Sequence, residues 1–355
     1  MKIDRNDSDS KSCLFTIIYG KYDLIQGAIL LRLKFSSFLQ WRFNIFFCQK
    51  VGWKISLYYI IMLGKLYFFI KRKEKNSIKG ALKTVFADSR DKADIEDLTH
   101  KVFRGILLHY YEKFFNAFSS DGTLRAFLGK NVKSEDLMVI NQGLSRGKGV
   151  LFITGHFGGV EFLPAYLATN DYPVTIIARF ASNHLRECSI QKAERFSSQI
   201  IDPDNTPNIM RAICDSLKEN RIVITQCDEI DEWRPSRHNR VVFLGNEIHL
   251  DRTIDILIKR VGASSIFGIM QRDNKDQYKL IVYSWERMKK ELRHSVNGSP
   301  GAVVLKVLEQ YIYQYPEEWY LWKKYFLIER PLLNGIEVEP KPSFSFLRPS
   351  LSKIS

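Results

Sequence analysis

The chain has 355 residues, 45% of them hydrophobic, and a formal net charge of +14 with a pI near 9.4. That length allows one large domain or two small ones with a sizeable core, and the charge favours an anionic partner: membrane lipid, nucleic acid or an acidic carrier protein. The five cysteines, Cys13, Cys48, Cys188, Cys214 and Cys227, are odd in number and scattered, which argues against a disulfide framework and against metal-ligand spacing.

The first twelve residues, MKIDRNDSDSKS, read as a polar leader rather than a signal peptide. From residue 13 to 70 apolar and aromatic runs are interrupted by basic residues, as in GAILLRLKFSSFLQWRFNIFFC and SLYYIIMLGKLYFFIKRKEK. Residues 1–80 hold fifteen Lys/Arg against five Asp/Glu, a local net of +10. Residues 55–70 are mainly apolar but number sixteen and contain Lys65, short of the about 20 that a clean span needs. Interleaved aromatic and basic residues suit helices lying in the interface of an anionic membrane. A span through 51–70 and helices packed on the domain with a basic outer face are the alternatives. Residues 13–125 are therefore expected to be a helical, membrane-associating and packing region.

After Lys73 the pattern stays helical to about residue 118. Within it His109 and Glu112 lie three apart and share a face, which suits a packed histidine, with a structural or substrate-facing pair as the alternative. The turn Gly147-Lys148-Gly149 is too short for a phosphate loop and reads as the entry to a strand. From here strand-like runs (150–154, 173–178, 221–226, 240–244, 263–270, 278–284) alternate with helix-like ones (160–169, 184–198, 206–219, 252–261, 300–315). This predicts an α/β fold over residues 126–330: a mixed, largely parallel central sheet flanked by helices, with the final strands adding an antiparallel edge. The tail, 331–355, contains Pro331, Pro340, Pro342 and Pro349 and is expected to wrap the surface or stay disordered.

Ligands in such sheets bind beyond the carboxyl ends of the strands. His156 falls there, after Val150–Thr154, in Gly155-His156-Phe157-Gly158-Gly159. Histidine can act as a base near neutrality, and Glu161 is the carboxylate that would orient it or favour its charged form. The two are five positions apart, about 140° out of phase on a helix, so the pair works only if His156 sits in a loop ahead of the helix. Gly158 and Gly159 allow that turn and could offer backbone N–H groups to an oxyanion. On the residues alone, a structural histidine competes with a catalytic one. Arg179 ends the second predicted strand and could bind a phosphate or carbonyl oxygen, or be an ordinary surface arginine. Asn183 follows at the next helix start. Asp228, flanked by Gln226 and Glu229, ends the third strand, where it could order the pocket; with no second ligand in spacing, no metal is expected.

Taken together the segments resemble the bacterial lipid A biosynthesis acyltransferases, within the lysophospholipid and glycerolipid acyltransferase superfamily. His156-Phe157-Gly158-Gly159-Val160-Glu161 is similar to that family's H-x4-D/E motif. Arg179 with Asn183 and Leu185, the block QCDEIDEWRPSRHNRVVFLG at 226–245, Pro316-Glu317-Glu318-Trp319-Tyr320-Leu321-Trp322, and the lead-in KRKEKNSIKGALKTVF match its other blocks in order. The segment NEIHLDRTIDIL and the charged loop 230–240 depart from its pattern. The resemblance implies acyl transfer from acyl carrier protein or acyl-coenzyme A, as co-substrate with no bound cofactor, to a hydroxyl of a lipid or glycolipid acceptor at the cytoplasmic face of the bacterial inner membrane. It implies His156 as general base with Glu161 assisting, and Gly158, Gly159, Arg179, Asn183 and Asp228 as oxyanion or substrate-binding residues. Phe157, Phe162 and Leu163, with helices 55–69 and 106–118, are candidates for an acyl groove, or for core. Rival readings are an amine or other small-molecule acceptor, a thioester hydrolase (no G-x-S-x-G elbow is present) and a basic membrane- or nucleic-acid-binding protein. No nucleic-acid partner is expected, since no recognition motif accompanies the charge.

Overall fold

The computed structural model describes residues 35–180, 182–230, 235–273, 277–292 and 299–328. The leader at 1–12, the first part of the basic apolar run and the tail at 331–355 lie outside the described residues.

The central sheet has seven strands in the order β1-β9-β8-β2-β5-β3-β4, and a separate two-stranded sheet pairs β6 with β7. In chain order these are β1 (Val132–Glu135), β2 (Val150–Thr154), β3 (Val174–Ile177), β4 (Gln199–Ile201), β5 (Ile222–Gln226), β6 (Pro235–Phe243), β7 (Asn246–Asp251), β8 (Ser264–Asp273) and β9 (Gln277–Ser284). Every residue of β2 is buried, as its unbroken apolar and β-branched run demands for a strand covered on both faces. It pairs in parallel with β5 on one side and β8 on the other. The expected antiparallel addition is the β8–β9 pair, but β9 is not the edge: β1 closes the sheet there, parallel to β9.

The run at 240–244 joins a hairpin, not the main sheet. Leu244 and Gly245 carry φ of 49° and 81°, the double left-handed turn that a two-residue hairpin loop uses. Glu309 Oε1 accepts the Leu244 N–H at 2.6 Å and fixes the leucine in that conformation. The helix expected at 160–169 is a 3-10 turn, Val160–Phe162, followed by a helix, Leu163–Thr169, with Pro164 in its first turn where no N–H is needed.

The helix Lys92–Phe118 is the spine of the N-terminal helical layer; the Asp91 side chain caps it by accepting from the Asp94 N–H at 2.8 Å. One face buries Leu98, Val102 and Ile106, and Gly105 lets it approach the turn Pro316–Glu318 so closely that a Cβ there would sit 1.8 Å from the Glu317 carbonyl oxygen. The helix Trp53–Ile70 packs against the same spine through Ser56, Ile60, Gly64 and Phe68, with Gly64 seated on Leu107. Helical layer and sheet therefore share one continuous hydrophobic core.

Replacing Gly105 by alanine should cost about 1–3 kcal/mol, since a backbone carbonyl cannot rotate away. Gly129→Ala, on an exposed helix position with open space around it, should instead stabilise by about 0.4–1 kcal/mol. Denaturant midpoints of the two variants check the pair of signs.

Candidate active site

The parallel register sets Thr154 of β2 beside Gln226 of β5. Two residues further on each strand, His156 and Asp228 meet. The His156 Nδ1 lies 2.9 Å from Asp228 Oδ1, and the His156 backbone N–H donates to both carboxylate oxygens at 3.1 and 3.0 Å. Trp319 Nε1 donates to Asp228 Oδ2 at 2.9 Å. Asp228 has no exposed surface. Burial alone would raise its carboxyl, but the His156 charge and these donors outweigh it and hold the group below its usual range. The opposite ring nitrogen, Nε2, lies 3.3 Å from Glu229 Oε1. Burial works against the imidazolium, yet Asp228 and then Glu229 push His156 up to about 10. With Glu229 beside Nε2 the ring is charged at neutral pH.

Glu161 takes a different partner from the one its spacing suggested. Its Oε1 lies 3.4 Å from His109 Nε2 and 3.6 Å from Lys113 Nζ, because the 3-10 turn aims it at the spine helix. The carboxylate on the His156 ring is Asp228, 72 residues away in sequence. His109 itself is buried and stacked flat on Tyr320, with centroids 3.5 Å apart. Burial, with the cations of Lys113 and Arg272 nearby, pulls its pKa well down, so it stays neutral. Glu112, three residues on, is not its partner: it forms a bidentate pair with Arg272 at 2.7 and 2.8 Å and accepts from the Tyr278 hydroxyl at 3.0 Å.

The glycines serve the loop rather than an oxyanion. The Gly158 N–H donates to the Glu318 carbonyl at 2.9 Å and the Gly159 N–H to the Met270 carbonyl at 2.7 Å. Arg272 Nη2 donates to the Gly158 carbonyl at 2.7 Å. Gly158 has φ +59° and a Cβ would sit 1.9 Å from Met270 O, so only glycine fits. Phe157, Phe162 and Leu163 are fully buried and do not border the cavity. Phe157 bridges to Trp319, and Phe162 packs on Phe115, Phe127 and Tyr278; they are core, because they follow the buried strand into the same layer.

His156 and Glu161 both open onto a cavity of about 890 Å³. Its apolar lining includes Ile176, Phe196, Ile200, Ile213, Ile224 and Leu257; its polar lining includes Lys113, Arg179, Glu229, Tyr320 and Lys324. Arg179 is half exposed, with Nε 3.2 Å from Asp204 Oδ1. Asn183 begins the helix Asn183–Arg195, capped by Ser182, and is exposed away from the cavity. Neither the helix Trp53–Ile70 nor, apart from Lys113, Asn116 and Ala117, the spine helix contributes to the wall. Glu229, Tyr320 and Lys113 went unread as site residues. Glu229 was visible as the neighbour of a strand-end aspartate, and Tyr320 lies inside the Pro316–Trp322 block.

A dyad with one nitrogen fixed and the other facing a cavity can move a proton between a bound hydroxyl and a leaving group. A model of the bacterial lipid A biosynthesis acyltransferase family matches residues 34–327, most of the chain. No curated protein matches it.

The ring nitrogens of His156, followed by ¹⁵N chemical shift, should titrate with a midpoint near 10. In Asp228→Asn the midpoint should fall, since burial remains and only the Glu229 carboxylate is left to oppose it. The sign for stability follows. A raised histidine pKa stabilises the fold fully below about 6.5, and that contribution is lost as pH rises through about 10. Asp228→Asn should therefore cost most below neutrality and little above pH 10.

Proposed function

We propose a base-catalysed mechanism for a chain that belongs to the bacterial lipid A biosynthesis acyltransferase family and is therefore an acyltransferase. The family is membrane-associated and transfers acyl groups to lipid acceptors. For this chain the donor is an acyl-thioester, on acyl carrier protein or coenzyme A, and the acceptor a hydroxyl of a lipid or glycolipid at the cytoplasmic face of the inner membrane. The observation that carries the mechanism is the His156 ring, fixed at Nδ1 by buried Asp228 while Nε2 faces the cavity.

The acceptor hydroxyl takes the place of Glu229 at Nε2. Neutral His156 removes its proton, and the oxygen attacks the thioester carbonyl. A C–O bond forms, the C–S bond breaks, and the imidazolium returns the proton to the departing thiolate. Asp228 stabilises the imidazolium and holds its orientation, the part expected of Glu161. Since the Gly158 and Gly159 N–H groups are already bonded to protein carbonyls, the charge on the carbonyl oxygen falls to side chains of the wall, Lys113 and Arg179. Glu161 then works by holding Lys113 in place through the 3.6 Å pair. The apolar lining supports the acyl assignment: it would remove a hydrocarbon chain from water, at about 0.8 kcal/mol per buried methylene.

His156→Ala should lower kcat by roughly 10²–10⁴-fold, read as loss of the added acyl mass in the lipid extract. Wild-type turnover by that variant would refute the mechanism. Glu161→Ala should impair transfer without moving the His156 titration, whereas Asp228→Asn should change both. Because His156 must be neutral to act, kcat/KM should rise with pH towards its pKa. Glu229→Gln should move that rising limb to lower pH by removing one of the two raising carboxylates.

A further inference from the structure

Both nitrogens of the His156 ring lie against carboxylates. Asp228 Oδ1 is 2.9 Å from Nδ1, and Glu229 Oε1 is 3.3 Å from Nε2. An ionised carboxylate only accepts, so each nitrogen that faces one carries a hydrogen. The ring is then an imidazolium with no lone pair to offer. The two carboxylates differ in their freedom. Asp228 has no exposed surface and is also held by the Trp319 indole and the His156 N–H. The Glu229 side chain is 34% exposed, lines the cavity and lies on the ring nitrogen that Asp228 leaves open.

We infer that Glu229 is a stopper on the base: it keeps the His156 ring covered and protonated while the cavity holds the acyl donor alone, so that water is not activated against the thioester. The inference rests on the reading of His156 as the general base of acyl transfer. A neutral His156 beside a thioester serves water as well as it serves an alcohol. The water gives a proton to Nε2, a C–O bond forms, the C–S bond breaks, and the proton returns to the departing thiolate as free acid is released. A transfer site must exclude that side reaction. The acceptor hydroxyl lifts the block when it displaces Glu229. The Nε2 proton passes to the withdrawing carboxylate and from its exposed side to solvent. The ring keeps Asp228 alone and becomes the base.

The other titratable neighbours do not take the place of Glu229. Tyr320 stands edge-on to the ring with centroids 4.9 Å apart, and burial keeps its phenol protonated. His109 stacks on Tyr320 and is neutral. The Cys227 thiol is buried and pushed well up. Glu161 lines the cavity but pairs with His109 and Lys113. Lys192, lowered to about 8 by burial, is held by the carbonyls of Asn116 and Ser119, while Arg179 and Lys324 line the cavity as cations.

The test offers dodecanoyl-pantetheine, the thioester arm common to both donors, with no acceptor. Freed thiol and dodecanoic acid are measured from neutral to alkaline pH, and transfer to a detergent-dispersed lipid extract is measured in parallel. Wild type should hydrolyse the probe slowly at neutral pH. Glu229→Ala should hydrolyse it roughly tenfold faster or more, part of the roughly 10²–10⁴-fold that a positioned base supplies. Glu229→Gln removes the charge but keeps the cover, so its rate should fall between the two. Its rising pH limb should lie below that of wild type, which approaches about 10. The gain should vanish in His156→Ala/Glu229→Ala. A structural defect lowers rates, so it does not imitate a gain. Hydrolysis at or below the wild-type rate in both Glu229 variants overturns the inference, as does a gain that survives in the double variant. If Glu229→Ala melts below the assay temperature, Glu229→Gln carries the same comparison. Wild type that transfers to no lipid while Glu229→Ala gains hydrolysis faults the lipid-acceptor reading and leaves the role of Glu229 standing. Transfer by wild type with no gain in either variant does the reverse.

Discussion

A carboxylate with no exposed surface sits at the junction of three segments, and the geometry of the site depends on satisfying it. Asp228 accepts the His156 N–H, the His156 ring and the Trp319 indole. A buried charge without such partners is strongly unfavourable, and losing one partner of a buried pair costs about 3–5 kcal/mol. The end of β2, the end of β5 and the Pro316–Trp322 turn must therefore arrive together. Trp319 of that turn reaches His156 through Asp228, donating its indole N–H to the carboxylate that holds the ring. The same turn supplies the Glu318 carbonyl to Gly158 and the Tyr320 ring to His109 and His156.

A second buried pair braces the loop from behind. Arg272 spends two nitrogens on Glu112, one of them also on the Gly158 carbonyl, while its backbone N–H donates to Glu318 Oε2 at 2.7 Å. The left-handed Gly158 is thus held from both its N–H and its carbonyl. Preorganisation of this kind favours transfer chemistry, because no reorientation is left for the moment of reaction. It also explains why two glycines that looked available for an oxyanion are not: their N–H groups are consumed in keeping His156 in place.

Much of this was legible in the chain. The apolar runs at 150–154 and 221–226 gave strands β2 and β5, and strand ends in a parallel sheet point to one edge, which brought His156, Arg179 and Asp228 to the same side. What sequence spacing could not convey was the choice between two carboxylates. Glu161 is five residues from His156 and Asp228 is 72 away, yet parallel register makes the distant one the neighbour. Local spacing measures chain separation, whereas a crossover connection erases it. The hairpin at β6–β7 was misread for a related reason: 240–244 has strand character, but the Leu244-Gly245 turn, set by a bond to Glu309, folds it back on β7 before it can join the sheet. Strands β1 and β4 are four and three residues long, with polar members, and carry no periodicity to detect.

The excess of positive charge in the first 80 residues has its physical meaning only once burial is known. Hydropathy by itself scores Trp53–Ile70 as a span, because it averages over the helix circumference. Burial divides that circumference into a face committed to Leu107 and its neighbours and a face with nothing against it among the described residues. The outer face is apolar, with Lys50 over Phe46 and Arg72 over Phe69 at its borders. The spine helix Lys92–Phe118 packs against Trp53–Ile70 and also carries Lys113, the partner of Glu161, so the apolar helical layer and the cavity wall share one element.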